Sequence, residues 1–312
     1  MKYTNRFPVC AGRIFAGRSI MNFCSPIMAL AMILCCAARI PAKETPSSGA
    51  SAPAKVAASK GAESFDVKVI TYNVAGLPNF ITFNRNLAPT AERFSRIGDR
   101  LQQYDIIGIQ EAFIPAREII EKKLGEYYVV HGADVGKVKL MGSGVYIYSK
   151  WTVTQSHYEK WQHLADADAL SLKGFVSATV NVSPGLAIDV YNVHGQTGKS
   201  PDKVVMKLKN YERLARYMEY QSGNSGRPVL LIGDFNVKDG DPVWKSIAEG
   251  MGLTMIPDPV KGKPDHLFYK DNGSGWRISV LESGSDFTEE INGRRFSDHI
   301  AFHATLRFEK IK

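Results

Sequence analysis

The chain has 312 residues, 44% hydrophobic and 22% charged, with a formal net charge of +8. Residues 1–62 hold eight Lys/Arg against the single acid Glu44, which leaves 31 basic and 30 acidic residues in 63–312, so strong nucleic-acid binding is not expected of the folded part. All four cysteines (Cys10, Cys24, Cys35, Cys36) lie near the N-terminus, which excludes a cysteine nucleophile and a zinc–thiolate site elsewhere.

In chain order, residues 1–20 carry Lys2, Arg6, Arg13 and Arg18 and no acid, and an apolar stretch from Ile27 to Ala38 follows. This is the pattern of a secretory signal, with an apolar run too short to span a membrane comfortably. A leader over 1–38 and a secreted or periplasmic location are expected, with cleavage after Ala37 or Ala38. Met21 is an alternative start, and a lipid anchor at Cys35 or Cys36 is the alternative fate. Residues 39–62 are dominated by Pro, Ala, Ser and Lys, a composition that reads as a linker. Residues 63–312 then read as a single domain.

Within it, Asp66–Tyr72 alternates as a strand. Thr90–Tyr104 reads as a helix, with Phe94, Ile97 and Leu101 at helical spacing. Asp105–Gln110 is a short apolar strand, and Pro115–Leu124 a helix with proline in its first turn. Strands are expected at Tyr127–His131, Gly144–Ser149, Phe175–Asn181 and Ala187–Val193. Ser200-Pro201 opens an amphipathic helix to about Tyr220, with Val205, Leu208, Leu214 and Met218 inward. Val229–Ile232 is a strand, Asp241-Pro242 opens a short helix ending near Gly250, and His266–Tyr269, Trp276–Leu281 and Ile300–Phe308 are the last strands. Many strands with a few long helices between them predict an α/β fold in four layers: two packed mixed β-sheets flanked by helices.

Several polar residues share one placement, the end of an apolar strand. Asn73 follows Val69–Tyr72, and Glu111 follows Ile106–Gln110. Asn192 and His194 close Ala187–Val193, and Gly233-Asp234-Phe235-Asn236 follows Val229–Ile232. Asp298 and His299 precede the last strand. Such ends can converge on one cleft, and the types suit phosphate chemistry: carboxylates for a hard cation, amides for oxygen, and two imidazoles. Each has a plainer reading. Asp and Asn favour turns, Glu111 could cap the helix at Pro115, and either histidine could be a satisfied core residue. His303, alternating on its strand, reads as a surface residue, His266 as inert, and Lys173 as either a solvated cation or a phosphate support. Phe80, Ile81 and Phe83 read as packing or as a lipid-facing loop.

Taken together, these motifs resemble the endonuclease/exonuclease/phosphatase superfamily, the deoxyribonuclease I-like fold, over nearly all of 66–308. Asp168-Ala169-Leu170-Ser171-Leu172-Lys173-Gly174-Phe175, with Gly144–Trp151 before it, is similar to the bacterial neutral sphingomyelinase C branch. The resemblance implies a phosphodiesterase using Mg²⁺, with Mn²⁺ or Co²⁺ as substitutes. It implies Glu111 as the main metal ligand, with Asn73 and Asp298 beside the metal. His299 would be the general base, oriented by Asp265. Asp234 would orient the attacking water, Asn236 would hold the phosphate, and His194 would stabilise it or donate a proton. Asn192 and Lys173 are expected to serve the substrate. Two departures stand out: the usual Asn-Thr-His is Asn192-Val193-His194 here, and Trp276–Phe296 is polar where the secreted cytolysins carry an aromatic-tipped hairpin. The expected substrate is a phosphoester, with a phospholipid such as sphingomyelin in the lead, met by a monomer in transient contact with a membrane surface. A nuclease, an inositol phosphate or phosphoinositide phosphatase and an inactive binding module are the alternatives.

Overall fold

The computed structural model describes residues 63–78, 85–134, 141–238 and 241–311. The expected leader and linker, and Phe80, Ile81 and Phe83, lie outside these residues. The chain forms β1 (Ser64–Gly76), α1 (Thr90–Leu101) and β2 (Ile106–Ala112), then a 3₁₀ turn (Pro115–Arg117) leading into α2 (Glu118–Leu124). Next come β3 (Tyr128–His131), β4 (Tyr146–Ser149), β5 (Val153–Lys160), β6 (Gly174–Ser183), β7 (Leu186–His194) and α3 (Pro201–Met218). The remainder is β8 (Val229–Asp234), α4 (Val243–Ala248), β9 (Thr254–Met255), β10 (Asp265–Lys270), β11 (Trp276–Asp286), β12 (Glu290–Ile291), β13 (Arg294–Arg295) and β14 (Ala301–Lys310).

These strands build two mixed six-stranded sheets, ordered β11-β14-β1-β2-β4-β3 and β5-β6-β7-β8-β10-β9. The central strands bury both faces, which is why β1, β2 and β8 are nearly continuous apolar runs rather than clean alternations. Val69, Ile106, Ile147, Val176, Val190, Ile232, Leu267 and Leu306 fill the space between the sheets. Ile70, Ile107 and Tyr148 face Phe94, Ile97 and Leu101 of α1 and Ile120 of α2. On the other side, Tyr191, Leu231 and Phe268 pack under Tyr211 and Leu214 of α3 and Val243 and Ile247 of α4. The four-layer α/β sandwich is thus the observed architecture.

A buried polar tie crosses the sheets. Asn192 Nδ2 donates to the carbonyls of Ile109 and Tyr146 at 3.0 and 2.7 Å, and its Oδ1 accepts from Gln110 Nε2 at 2.6 Å. Gln110 also donates to Thr71 Oγ1 at 3.0 Å. Gly108 permits this approach, since a side chain there would run into Ile232 and Asn192.

Some elements differ from expectation. Strand β5 carries few apolar residues and lies exposed at a sheet edge, so it has no burial pattern to reveal it. The hairpin β12–β13 turns on Asn292 and Gly293, both at positive φ, the backbone of a two-residue primed turn. In α3 the buried side is Lys207, Asn210, Tyr211, Leu214 and Met218, and Val205 is exposed. The helix is phased by Lys207, whose Nζ donates to the Asn236 carbonyl at 2.6 Å. His303, expected at the surface, is half-buried, its ring centroid 5.6 Å from that of Tyr104. Among the described residues, no helix is long and apolar enough to cross a membrane.

Candidate active site

Strand register assembles the site. Asp234 ends β8; parallel pairing with β7 sets His194 beside it, and antiparallel pairing with β10 sets Asp265 on its other side. In the facing sheet, parallel β1 and β2 align Asn73 with Gln110, and the register then slips before Gly76 and Ala112. Within that slip Ala75 (φ 47) and Glu111 (φ 55) adopt left-handed backbone, uncommon for residues with a side chain. Such a bulge re-aims a side chain, and strain of this kind collects at functional sites. Asn236, at φ 53, carries the same signature.

Gly233 has its own strict demand. Its φ is 142, and a side chain there would strike the backbone of Val193. Gly233→Ala is expected to destabilise the protein by more than about 2 kcal/mol, through backbone strain and overpacking together, with a lower unfolding midpoint in denaturant as the measurement.

The side chains then interlock. Asn73 Nδ2 donates to Asp234 Oδ2 at 3.0 Å, and its Oδ1 accepts the Ala75 N–H at 3.1 Å. Asp234 Oδ1 accepts the Asn236 N–H at 2.9 Å, and Asn236 Nδ2 donates to the Gly195 carbonyl at 3.1 Å. Ser297 Oγ donates to the Asn73 carbonyl at 2.7 Å and accepts the His299 N–H at 3.2 Å, which fixes the turn carrying Asp298. His299 Nδ1 lies 2.8 Å from Asp265 Oδ2, and its Nε2 lies 3.9 Å from Asp234 Oδ2. His194 Nε2 lies 3.7 Å from Glu111 and 3.6 Å from Asp234, just beyond hydrogen-bond reach. Glu111 caps nothing: the turn at Pro115 has no side-chain cap.

Burial and charge set the protonation states. His194 is fully buried and neither ring nitrogen has a hydrogen-bond partner. Burial, reinforced by the charges of Lys173 and His299, holds its pKa well below the usual value, so it is a neutral imidazole. That suits it to donate a hydrogen bond rather than a proton. Burial pulls His299 down as well, but the charges of Asp265, Asp234 and Glu111 and the bond to Asp265 outweigh it and raise its pKa to about 10. Glu111 is raised above the usual carboxylate value, chiefly by burial, against the opposing charges of Lys173 and His299. Asp234 is raised too, by burial and by the neighbouring Asp265.

Two oxygen donors stand ready for a hard cation. Glu111 Oε2 and Asp298 Oδ1 are buried and without hydrogen-bond partners. Carboxylate oxygens without hydrogen bonds fit Mg²⁺, which takes oxygen ligands and needs only one or two carboxylates. Asp234, Asp265 and His299 also bring ligand atoms within 4.8 Å of one another. There the His299–Asp265 bond takes one atom of each partner, Nδ1 and Oδ2, and leaves Asp265 Oδ1 buried without a hydrogen bond; a carboxylate holding an imidazole in this way serves proton transfer.

Two expected substrate residues are placed differently. Asn192 lies fully inside the sandwich with its amide committed to carbonyls, so substrate contact would break the tie between the sheets. Lys173 is buried rather than solvated, and its Nζ lies 2.6 Å from Asp168, which also accepts from the Thr197 N–H and hydroxyl. Its charge nonetheless reaches Glu111, Asp234 and His194. His266 belongs to the core: its Nε2 is 2.9 Å from the Val237 carbonyl, and its ring packs on Trp244.

Two residues were not anticipated. Arg93, on the buried face of α1, donates to the carbonyls of Val74, Ala75 and Phe296, binding the end of β1 to the segment that leads into Ser297. A charge in the inward stripe beside Phe94 was the available signal. Arg85 Nη1 lies 2.6 Å from Asp298 Oδ2 and 3.9 Å from Glu111 Oε2.

Fold and site together place a carboxylate-backed histidine beside a cluster of buried acidic oxygens, at the end of a four-layer α/β sandwich. The sequence profile described as Endonuclease/Exonuclease/phosphatase family matches residues 70–299, and the chain belongs to that family. It is 26% identical over 267 residues to a sphingomyelinase of Mycobacterium tuberculosis H37Rv, covering 76% of this chain and 53% of the relative. The chain thus spans about half the length of the curated relatives it matches. Among solved structures it resembles a double mutant of Staphylococcus aureus beta toxin with bound magnesium ions, at 17% identity and a TM-score of 0.64, covering 80% of this chain and all of that one. Sphingomyelinase C from Streptomyces griseocarneus gives 19% identity and a TM-score of 0.61, covering 77% of this chain and 99% of that one. TDP2 of D. rerio, complexed with a single-strand DNA product, gives 16% identity and a TM-score of 0.58, covering 77% and 98%.

Proposed function

We propose that this chain is an exported phosphodiesterase that depends on Mg²⁺, with Mn²⁺ or Co²⁺ as substitutes, and hydrolyses a phospholipid, sphingomyelin first. The observation that carries the chemistry is the His299–Asp265 pair, set beside Asp234 and the carboxylate oxygens of Glu111 and Asp298 that no hydrogen bond reaches. Glu111 and Asp298 would hold the cation, with Asn73 at its edge. Bound there, it supplies positive charge against the phosphoryl and leaving-group oxygens and offsets the carboxylates that keep His299 protonated.

The protein groups do the rest. A water between Asp234 and His299 Nε2 is oriented by the carboxylate and gives its proton to the imidazole. Asp265 accepts the Nδ1–H, fixes the tautomer and stabilises the imidazolium as it forms. The neutral His194 and the Asn236 amide donate hydrogen bonds to phosphoryl oxygens. Lys173 contributes charge from behind the site, in place of the direct substrate contact expected of it.

The substrate rests on the sphingomyelinase relatives and on the near-neutral charge of 63–312. A nuclease is the second reading, supported by the likeness to TDP2. A panel of sphingomyelin, phosphatidylcholine, plasmid DNA and inositol phosphates, each with and without Mg²⁺, separates them. We expect phosphocholine release from sphingomyelin in detergent micelles, no turnover in excess chelator, and little DNA cleavage. Activity should depend weakly on salt, because no run of phosphate contacts releases counterions. Lower activity is expected on intact bilayers, since the β12–β13 hairpin has the polar tip Asn292-Gly293. Efficient DNA nicking with choline lipids untouched would replace the lipid reading by the nuclease one. Cleavage of inositol phosphates alone would leave the chemistry and move the substrate.

A further inference from the structure

The acidic end of the site has a counter-charge that the mechanism above leaves unused. Arg85 reaches Asp298 Oδ2 at 2.6 Å and approaches Glu111 Oε2 at 3.9 Å. Its side chain is 33% exposed, while those of Glu111 and Asp298 are 13% and 26% exposed, so Arg85 is the most solvent-accessible of the three. Of the two cations whose charges act on Glu111, Lys173 is buried and paired with Asp168, and His299 is paired with Asp265. Among the described residues, Arg85 is the most exposed cation paired with these carboxylates.

The backbone places Arg85 there independently of its side chain. The segment 85–88 is laid along β13: Arg295 N donates to the Asn86 carbonyl at 3.0 Å, and Ala88 N to the Arg295 carbonyl at 2.9 Å. Arg295 Nη2 donates to the Arg85 carbonyl at 2.9 Å, and Asn86 Nδ2 to the Gly293 carbonyl at 3.3 Å. The anchor is fixed and the arm is long. A guanidinium also suits both partners available to it, since its fork pairs with carboxylate and with phosphate alike.

We propose that Arg85 competes with the divalent cation for Glu111 and Asp298, and that once displaced it binds the phosphoryl group of the substrate. This rests on the metal-dependent reading above. A cation at Glu111 and Asp298 draws on the same two carboxylates that Arg85 approaches, sharing Glu111 Oε2 and lying at the Asp298 oxygen next to the one Arg85 holds, and its charge repels the guanidinium. A phosphate beside that cation offers the arm a new anionic partner. Arg85 is then a substrate-binding residue held in reserve by the carboxylates.

The two halves of this exchange carry opposite signs, and that is the test. Mg²⁺ is titrated calorimetrically into full-length wild type, Arg85→Gln and Arg85→Lys without substrate. Inorganic phosphate is then titrated at saturating Mg²⁺. Removing a partly exposed competitor is expected to tighten Mg²⁺ binding about threefold to tenfold in Arg85→Gln. Phosphate affinity is expected to fall by about tenfold, the worth of a charge-assisted bond. Arg85→Lys, which keeps the charge, should lie between on both axes. A merely structural role would weaken both or neither, and either result overturns the proposal. Mg²⁺ binding in wild type that Arg85→Gln leaves unchanged overturns it while the metal site stands. Absence of Mg²⁺ binding in wild type and in Arg85→Gln alike removes the metal reading and the proposal with it. Because the anchor is made by main-chain carbonyls and by Arg295 and Asn86, both variants should melt close to wild type in chelator.

Discussion

His299→Ala is expected to lower kcat by about 10²–10⁴-fold, the usual worth of a positioned general base. Asp265→Ala should follow it closely, because Asp265 acts only through the imidazole it holds at 2.8 Å. The double variant should lose little more than His299→Ala alone, since residues that act as a unit are strongly non-additive. Losses that multiply would show that the two act separately. A normal rate for His299→Ala would remove the base assignment altogether. The same pair predicts a pH dependence of stability. His299 has a folded pKa of about 10 against an ordinary 6.5, so its contribution is fully present below 6.5 and is lost as the pH rises towards 10. Thermal unfolding in chelator across that window should therefore show a decline in wild type that is shallower in His299→Asn. Parallel curves for the two proteins would mean that the carboxylates do not hold the ring charged.

The parts of this molecule that were legible in the sequence are those where burial leaves a periodic mark. Strands β1, β2, β7 and β8 are apolar because both of their faces are covered, and the polar residues at their ends stand out for that reason. Asp234, His194 and Asp265 could be nominated one by one, but their adjacency comes from pairing of β8 with β7 and β10, which no local pattern records. Strand β5 left no mark because its residues face solvent. The Asn292-Gly293 turn did leave one, the commonest short hairpin signal, and it was readable. Asn192 illustrates the limit of reading a strand end. It sits two residues before His194, yet it points between the sheets, where Gln110 meets it. Arg85 had no signal at all. It lies outside every periodic element, and its partner Asp298 is 213 residues away along the chain.

Glu111→Gln should separate function from stability most cleanly. The carboxylate is aimed by a left-handed backbone at φ 55, buried, and its Oε2 has no hydrogen-bond partner. Its raised pKa means that the ionised form costs stability at neutral pH, because burial outweighs the nearby cations. The isosteric amide removes that charge and keeps the shape. In chelator the variant is therefore expected to melt at or above the wild-type temperature. Mg²⁺ should raise the melting temperature of wild type, since a cation that binds only the folded state stabilises it, and should leave Glu111→Gln nearly unmoved. Turnover should fall by at least about 10²-fold at ordinary Mg²⁺ concentrations, in line with the loss of a metal ligand's charge at a developing phosphoryl oxygen. A variant that melts well below wild type would make Glu111 a structural residue. A variant that keeps full activity and the full Mg²⁺-induced shift would place the cation elsewhere, and the cluster of Asp234, Asp265 and His299 would then be the site to test.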